Sequence, residues 1–451
     1  MRTASRTAAP ALSRAYVARR PQPVSATVGD HAAIENLLAA VLHQPSPQEF
    51  QAQLDDPFYE PADRSIVKNR DQIAGHLRQT WRAMRFGPAR WSFGRLSYLA
   101  VLPEFRSQAV ADRLLRFGEA SLLAGGALTA ELQTADSDAA LRAGWSPCSG
   151  CVFSEASPRD ILSQLAWRRE QSGSEVLAAV RRRSKRFSVR HWRHVELPAV
   201  MRIYRANLDA CHGALDRSEE YWRWLIGRQA FDYISVAIEG RDRLALDERA
   251  SRIVGYAVVK DHHILELFTE PGHPKAAAGL LARVCADAIE RDQHTIRLHG
   301  PADHPLHDCI QEADGGYHVC RSARGNGSFV KILQPAKLVA HLAAEWTDRM
   351  QAAPVQLPVE LPVELGMLVE GQKWHLTLGA DGAKIVKGKL GRSYVACDSA
   401  TWTGLLLSYL DAATAMDAGR LTPSTTLASL VAQTLFSRTL MWRPPWDHLP
   451  A

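Results

Sequence analysis

The stretch Leu99-Ala100-Val101-Leu102-Pro103-Glu104-Phe105-Arg106-Ser107-Gln108-Ala109-Val110-Ala111 is the part of this sequence best suited to chemistry. Apolar Leu96–Val101 reads as the end of a strand and stops before Pro103. From about Ala109 to Leu123, Val110, Leu114, Phe117 and Leu122 recur at helical spacing, and Gly125-Gly126 ends the run. A strand, a turn and a helix start in that order leave backbone N–H groups and the positive helix end free to hold a pyrophosphate. Two other groupings invite a metal or redox reading: Cys148-Ser149-Gly150-Cys151, and the set His299, His304, His307 and Cys309. The first lacks a second pair of ligands. The second sits among prolines, ahead of a helix predicted from Pro305, which suits capping and surface roles, so no metal is expected. Arg181, Arg182, Arg183, Lys185 and Arg186 could meet a phosphate or nucleic acid, but a solvated connector with interdomain ion pairs is the more usual role of such a run.

Several elements must position that loop. Asp30 is placed to cap a helix carrying Ile34, Leu37, Leu38, Val41 and Leu42, and Pro47–Leu54 reads as a second helix. Arg64–Val101 reads as strands broken at Gly87-Pro88, Ala127–Gln133 as a strand, and the residues before Ala143-Gly144-Trp145 as a short helix. A helical, arginine-loaded connector follows between about Ser157 and Ser188, including Arg168 and Arg169. The order of elements then repeats: helices at Leu197–Leu208 and Glu219–Ile226, and strands at Tyr233–Ile238, Ile253–Val259 and Ile264–Phe268. A helix at Pro274–Glu290 and a strand at Thr295–His299 complete the second unit. Pro354–Glu364 reads as a stiff linker. Beyond it, alternating Trp374, Leu376 and Leu378, the turn Asp381-Gly382, a strand at Ser393–Ala396 and helices at Ala400–Leu410 and Ser424–Leu435 form a small α+β module. Those alternating residues could line a lipid pocket, though such a pattern is more often plain core.

The bulk composition agrees. A chain of 451 residues, 46% hydrophobic and 23% charged, has several ordinary cores to fill. No apolar run approaches membrane-spanning length, and a net charge of +6 permits an anionic ligand without arguing for nucleic acid. Seven scattered cysteines form no disulfide framework and suit a reducing, cytoplasmic setting. The first 23 residues hold no acidic side chain and read as a basic disordered tail, a transit peptide being the alternative.

At Arg106-Ser107-Gln108-Ala109-Val110-Ala111 the chain resembles the coenzyme A-binding loop of the GNAT acetyltransferase superfamily, Arg/Gln-x-x-Gly-x-Gly/Ala. Arg106 and Ala111 match, and Ala109 stands where the family has glycine. Gln72-Ile73-Ala74-Gly75-His76-Leu77, Met84-Arg85-Phe86-Gly87 and Arg142-Ala143-Gly144-Trp145 extend the resemblance to the enhanced intracellular survival (Eis) branch, which joins two GNAT units to a sterol-carrier-like domain. The fold class expected is therefore α/β and α+β: two tandem GNAT-like mixed-sheet domains and a small sterol-carrier-like α+β domain. The bounds expected are a tail at 1–23, a coenzyme A-binding unit at 24–156, a connector and second unit at 157–345, a linker at 346–364 and the last domain at 365–451.

The resemblance implies that the backbone of Leu99, Ala100 and Val101 meets the acetyl-pantetheine arm, and Arg106 through Ala111 the pyrophosphate. It also implies acetyl-CoA as co-substrate and a small-molecule or peptide amine as acceptor; a homo-oligomer is compatible with it. Ala140 occupies the position of the family's general-acid tyrosine, and the carboxylate of Ala451 that of its terminal base. Thr269-Glu270-Pro271-Gly272-His273-Pro274-Lys275, at the matching place in the second unit, lacks the arginine-glycine pattern, which implies a non-catalytic copy. The function expected is acetyl-CoA-dependent N-acetyl transfer. A catalytically impaired binding protein of the same fold, and nucleic-acid binding through the arginine-rich connector, are the alternatives.

Overall fold

In this computed structural model, described over residues 22–148, 151–173, 187–240, 251–320, 322–323, 326–352, 361–439 and 441–447, the chain builds three sheets. β1 (Pro23–Ser25) leads to α1 (His31–Leu42) and α2 (Pro47–Leu54), then to β2 (Arg64–Asn69), β3 (Gln72–Phe86) and β4 (Ala89–Val101). The periodicity of α1 has the expected cause, since Ile34, Leu37 and Leu38 are buried. Asp30, however, makes no side-chain bond to the helix amides. Its carboxylate accepts from Thr27 N at 2.9 Å and pairs with Lys68 at 2.6 Å, so it closes the turn before the helix instead. α2 is capped by Ser46, whose hydroxyl accepts from Glu49 N while Glu49 reaches back to Ser46 N.

After β4 come α3 (Val110–Ala124), β5 (Thr129–Thr134), α4 (Ser137–Arg142) and β6 (Ser146–Pro147). Leu115 and Gly118 join Val110, Leu114 and Leu122 on the buried face of α3, whereas Phe117 is only half-buried. A Cβ at Gly75 would come 2.8 Å from Val110 Cγ1 and 3.0 Å from Leu114 Cδ1, so α3 lies close on β3 because residue 75 has no side chain.

Strand membership does not follow the boundary expected near residue 156. β7 (Cys151–Ala156) pairs antiparallel with β13 (Ile296–His299) and β14 (Gly316–Cys320), inside the second sheet. In exchange, β16 (Asn326–Ile332) pairs with β5 and β6, inside the first. Between them run α5 (Pro158–Gly173), β8 (Phe187–His191), α6 (Leu197–Asn207), β9 (His212–Leu215), α7 (Glu219–Gly227), β10 (Tyr233–Gly240), β11 (Ser251–Lys260), β12 (His263–Thr269), α8 (Pro274–Glu290), α9 (Pro305–Glu312) and β15 (Ser322–Ala323). β9 also crosses over, pairing with the far end of β3 at Phe86↔His212 and Met84↔Leu215.

α10 (Pro335–Ala352) leads to the third sheet. β17 (Val363–Val369) is its central strand, between β18 (Gln372–Gly379), which turns through Asp381 into β19 (Gly382–Lys387), and β20 (Tyr394–Cys397), itself paired with β21 (Leu421–Pro423). The strand begins at Val363, inside the expected linker, because Val363, Leu365, Met367 and Val369 alternate into the core. α11 (Ser399–Leu406), α12 (Ala412–Asp417) and α13 (Thr426–Leu435) cover the sheet. One cluster of buried side chains runs without a break from Trp91 and Phe93 of β4, through Tyr204 and Trp222, to Leu365, Leu376, Trp402 and Trp446. The three sheets thus share a core.

Candidate functional site

β4 is where the first sheet opens. It pairs in parallel with β5 from Phe93↔Thr129 to Leu96↔Leu132 and no further, although both strands continue. Its other edge stays bonded to β3, but the register slips between His76 and Arg78, and Tyr98 sits in the left-handed region at φ 54°. That bulge turns Ser97–Val101 away from β5 and leaves one backbone edge of Leu99, Ala100 and Val101 facing the gap. Their side chains are buried, so only backbone is offered there.

The loop beyond folds as a short 3-10 turn, Pro103–Gln108, and ends at Ala109 with φ 52° and ψ 35°. An L-residue with a side chain rarely adopts this conformation and a glycine adopts it freely. Arg113 N donates to Ala109 O as the first bond of the helix, so the amides of Val110, Ala111 and Asp112 precede the ladder. Arg106 and Ser107 are exposed. The residues singled out from Leu99 to Ala111 therefore lie together, with the side chain of Gln108 outside the described set.

Beneath the other face of the bulge lies a polar network that the sequence pattern did not reveal. His76 is fully buried and neutral, its imidazole pushed well below the usual range by burial and then by Arg64. Nδ1 donates to the Tyr98 carbonyl at 2.9 Å, and Nε2 accepts from Arg64 at 3.3 Å. Arg64, itself buried, donates to Gln53 of α2 at 2.9 Å and to the Tyr59 hydroxyl at 3.2 Å. Arg78 and Arg82 of β3 share Asp56 just after α2. This network ties α1 and α2 over the bulge. A cleft of about 780 Å³ opens between α2 and α7, lined among others by Asp55, Glu220, Trp224 and Arg228.

The remaining expected positions lie elsewhere in the fold. Ala140 lies in the core beneath α3, fully buried with Ala139, Trp145 and Phe329, and does not face the gap. In the second unit, Glu270 is buried and ion-paired with Arg202 and Arg252. The Cys148 thiol is pushed up to about 12 by burial, while residues 149–150 and the Cys151 side chain lie outside the described set. His304 caps α9, accepting from Leu306 N at 3.3 Å, and His307 bonds Ser154 at 2.7 Å. Among the described residues no group of three His, Cys, Asp or Glu is arranged to hold a metal ion, and no helix is long and apolar enough to cross a membrane. Arg168 pairs with Glu312 at 2.6 Å, whereas Arg181, Arg182, Arg183, Lys185, Arg186 and Ala451 lie outside the described residues.

The C-terminal segment nonetheless has a clear course. Trp442 N donates to His212 O at 2.7 Å. Arg443 bonds Gly213 O at 3.0 Å and Glu131 of β5 at 2.9 Å, with its guanidinium 4.2 Å from the Phe93 ring. The chain then passes under α7, where Arg228 donates to the Trp446 carbonyl. Tyr221 in α7 feels Asp447 on one side and Arg82 of β3 on the other. The last described residue thus stands beside the first unit.

No protein-family model and no curated protein matches the sequence. Solved structures do. A GCN5-related N-acetyltransferase from Anabaena variabilis superposes with a TM-score of 0.68 at 15% identity, covering 94% of this chain and 99% of its own. One from Kribbella flavida gives 0.67 at 16%, with the same coverage. Eis1 from Mycobacterium abscessus gives 0.61 at 12%, again over 94% and 99%. Identity this low carries the fold and not the reaction. The chain has the tandem GNAT fold along nearly its whole length.

Proposed function

We propose that this protein transfers an acetyl group from acetyl-CoA to an amine, in the first unit only. The observation that carries the reading is the parting of β4 and β5 after Leu96↔Leu132, directly ahead of a loop that holds Ala109 in a glycine-like conformation before free helix amides. The residues fit the co-substrate: the bulged edge at Leu99–Val101 suits the amides of a pantetheine arm, and Arg106 to Ala111 supply amides and a cation for a pyrophosphate. Acetyl-CoA supplies an activated acyl carbon and a thiolate leaving group. The chain's part is to align the acceptor nitrogen, take one proton from it and shield the centre from water. The Ala451 carboxylate is the proposed base, because the C-terminal segment runs to Asp447 beside Arg228 and Tyr221. With Ala140 in the core, no phenol from α4 protonates the thiolate. The cleft between α2 and α7 is the proposed acceptor entrance, and the third domain serves as a sterol-carrier-like structural wall with a closed core.

The buried Ala140 also favours a second reading, a coenzyme A-binding protein that has lost the chemistry. Calorimetry and turnover separate the two. One coenzyme A site per chain and release of free thiol with a panel of amines supports transfer; one site without turnover supports binding alone. Two equivalent sites, or none at millimolar ligand, would overturn both.

A further inference from the structure

The second unit holds a buried ion cluster that neither a coenzyme site nor a fold requires. Arg217, between β9 and α7, has a side chain with no exposure at all. It grips Glu266 of β12 through two nitrogens, at 3.0 and 2.6 Å. It grips Asp447 through Nε and Nη2, both at 3.0 Å. Tyr256 donates to Glu266 from behind. The guanidinium lies 4.3 Å from the Tyr204 ring, 4.6 Å from Trp222 and 5.4 Å from Trp446. Trp446 is fully buried, 5.6 Å from Trp222 and 5.8 Å from Phe231, and Trp442 packs 5.8 Å from Phe268 of β12.

Three charges held in the dry interior cost desolvation, and such clusters are best attested where they fix one register among alternatives. Two of the three, Arg217 and Glu266, belong to the second unit; the third arrives from the far end of the chain. Both tryptophans and the aspartate of Trp442–Asp447 fit sites on one face of β12 and its neighbours. A segment running Trp-Arg-Pro-Pro-Trp-Asp is also stiffened by its prolines, so a single anchor sets the direction of the residues beyond it.

We infer that the second unit is a receptor for the chain's own C-terminal segment, and that Arg217 is the positioning residue that sets where the chain end stands at the first unit. This gives the second unit a task despite Glu270 blocking its loop. The consequence for catalysis rests on the proposed acetyl transfer; the receptor role does not.

The test uses the full chain. Arg217→Met alone would leave two buried carboxylates without a cation, so Asp447→Asn, which spares the Arg217–Glu266 pair, and Arg217→Lys, which keeps charge but loses the fork, are compared with wild type. Hydrogen exchange at the amides of Trp442, Arg443, Trp446 and Asp447 reads the receptor directly. Exchange at least tenfold faster in Asp447→Asn, with β12 itself still protected, supports the inference; unchanged exchange at Trp446 and Asp447 overturns it. In acetyl transfer, a tenfold or larger drop in kcat with an unchanged KM for acetyl-CoA, part-restored in Arg217→Lys relative to Asp447→Asn, supports the positioning role. Full kcat in a variant whose segment has loosened overturns that role. A wild type without turnover on any amine would count against the proposed function, while the exchange result would still decide the receptor.

Discussion

At the scale of single residues, Ala109 and Ala140 depart from the family pattern in opposite physical ways. Ala109 keeps the left-handed backbone that glycine would give it, at φ 52°. That conformation costs a side-chain-bearing residue about 1–2 kcal/mol, offset in a glycine variant by about 0.4–1 kcal/mol of extra unfolded-chain entropy. Ala109→Gly should therefore stabilise the protein by up to about 1 kcal/mol in urea unfolding, and tighten coenzyme A binding by calorimetry, since the loop is already shaped for it. A weaker affinity would mean the Ala109 methyl group contacts the ligand. Ala140 is fully buried beside Trp145 and Phe329, so Ala140→Tyr should not install an acid in the cleft. Overpacking should cost about 1–3 kcal/mol or more, read in the same unfolding experiment, with no gain in turnover. The loop around these residues was legible in the sequence because its signals are local: an apolar strand, a proline, an arginine and a helical repeat. Tyr98 was not. Its left-handed φ arises from the register slip between β3 and β4, and nothing in the order of residues marks a tyrosine for that place.

At the scale of elements, α1 to α4 and β2 to β5 stand close to where periodicity and turn residues put them. Pairing partners were hidden. Phe329 of β16 lies opposite Leu132 of β5 because both sit on the same core face, a relation set by packing between distant segments and absent from either segment alone. The histidines at the ends of β12, β13 and α9 bear on stability. Burial, foremost, pushes His299 down to about 3, and His263 and His304 each down to about 4. These groups stay neutral when folded and accept protons once unfolded, below about pH 6.5. Their contribution is intact above that pH and is lost as the pH falls towards the folded values of about 3–4. Urea unfolding should show stability dropping between pH 6.5 and 4. His299→Gln, which does not titrate, should flatten that slope by about 1.4 kcal/mol per pH unit. An unchanged slope would place the acid sensitivity elsewhere.

At the scale of the whole molecule, the sequence showed three parts but not that they share one core, nor that the end of the third is held by the second beside the first. If the Ala451 carboxylate acts at the first unit, chemistry at that end should be sensitive to length more than to identity. Adding three alanines should lower kcat at least tenfold, whereas Ala451→Gly should change it little and neither should alter coenzyme A affinity; full activity in the extended protein would remove the carboxylate from the mechanism. The exchange of β7 and β16 also governs how the molecule is made. As synthesis proceeds, the first sheet emerges with β5 as an open edge, and nothing fills it until Asn326–Ile332 leaves the ribosome, after almost all of the second unit. An unpaired edge is a template for other chains. A nascent chain would depend on a chaperone, or on rapid completion, over that interval. A fragment ending at Ala156 should aggregate when expressed alone, and one reaching α10 should not.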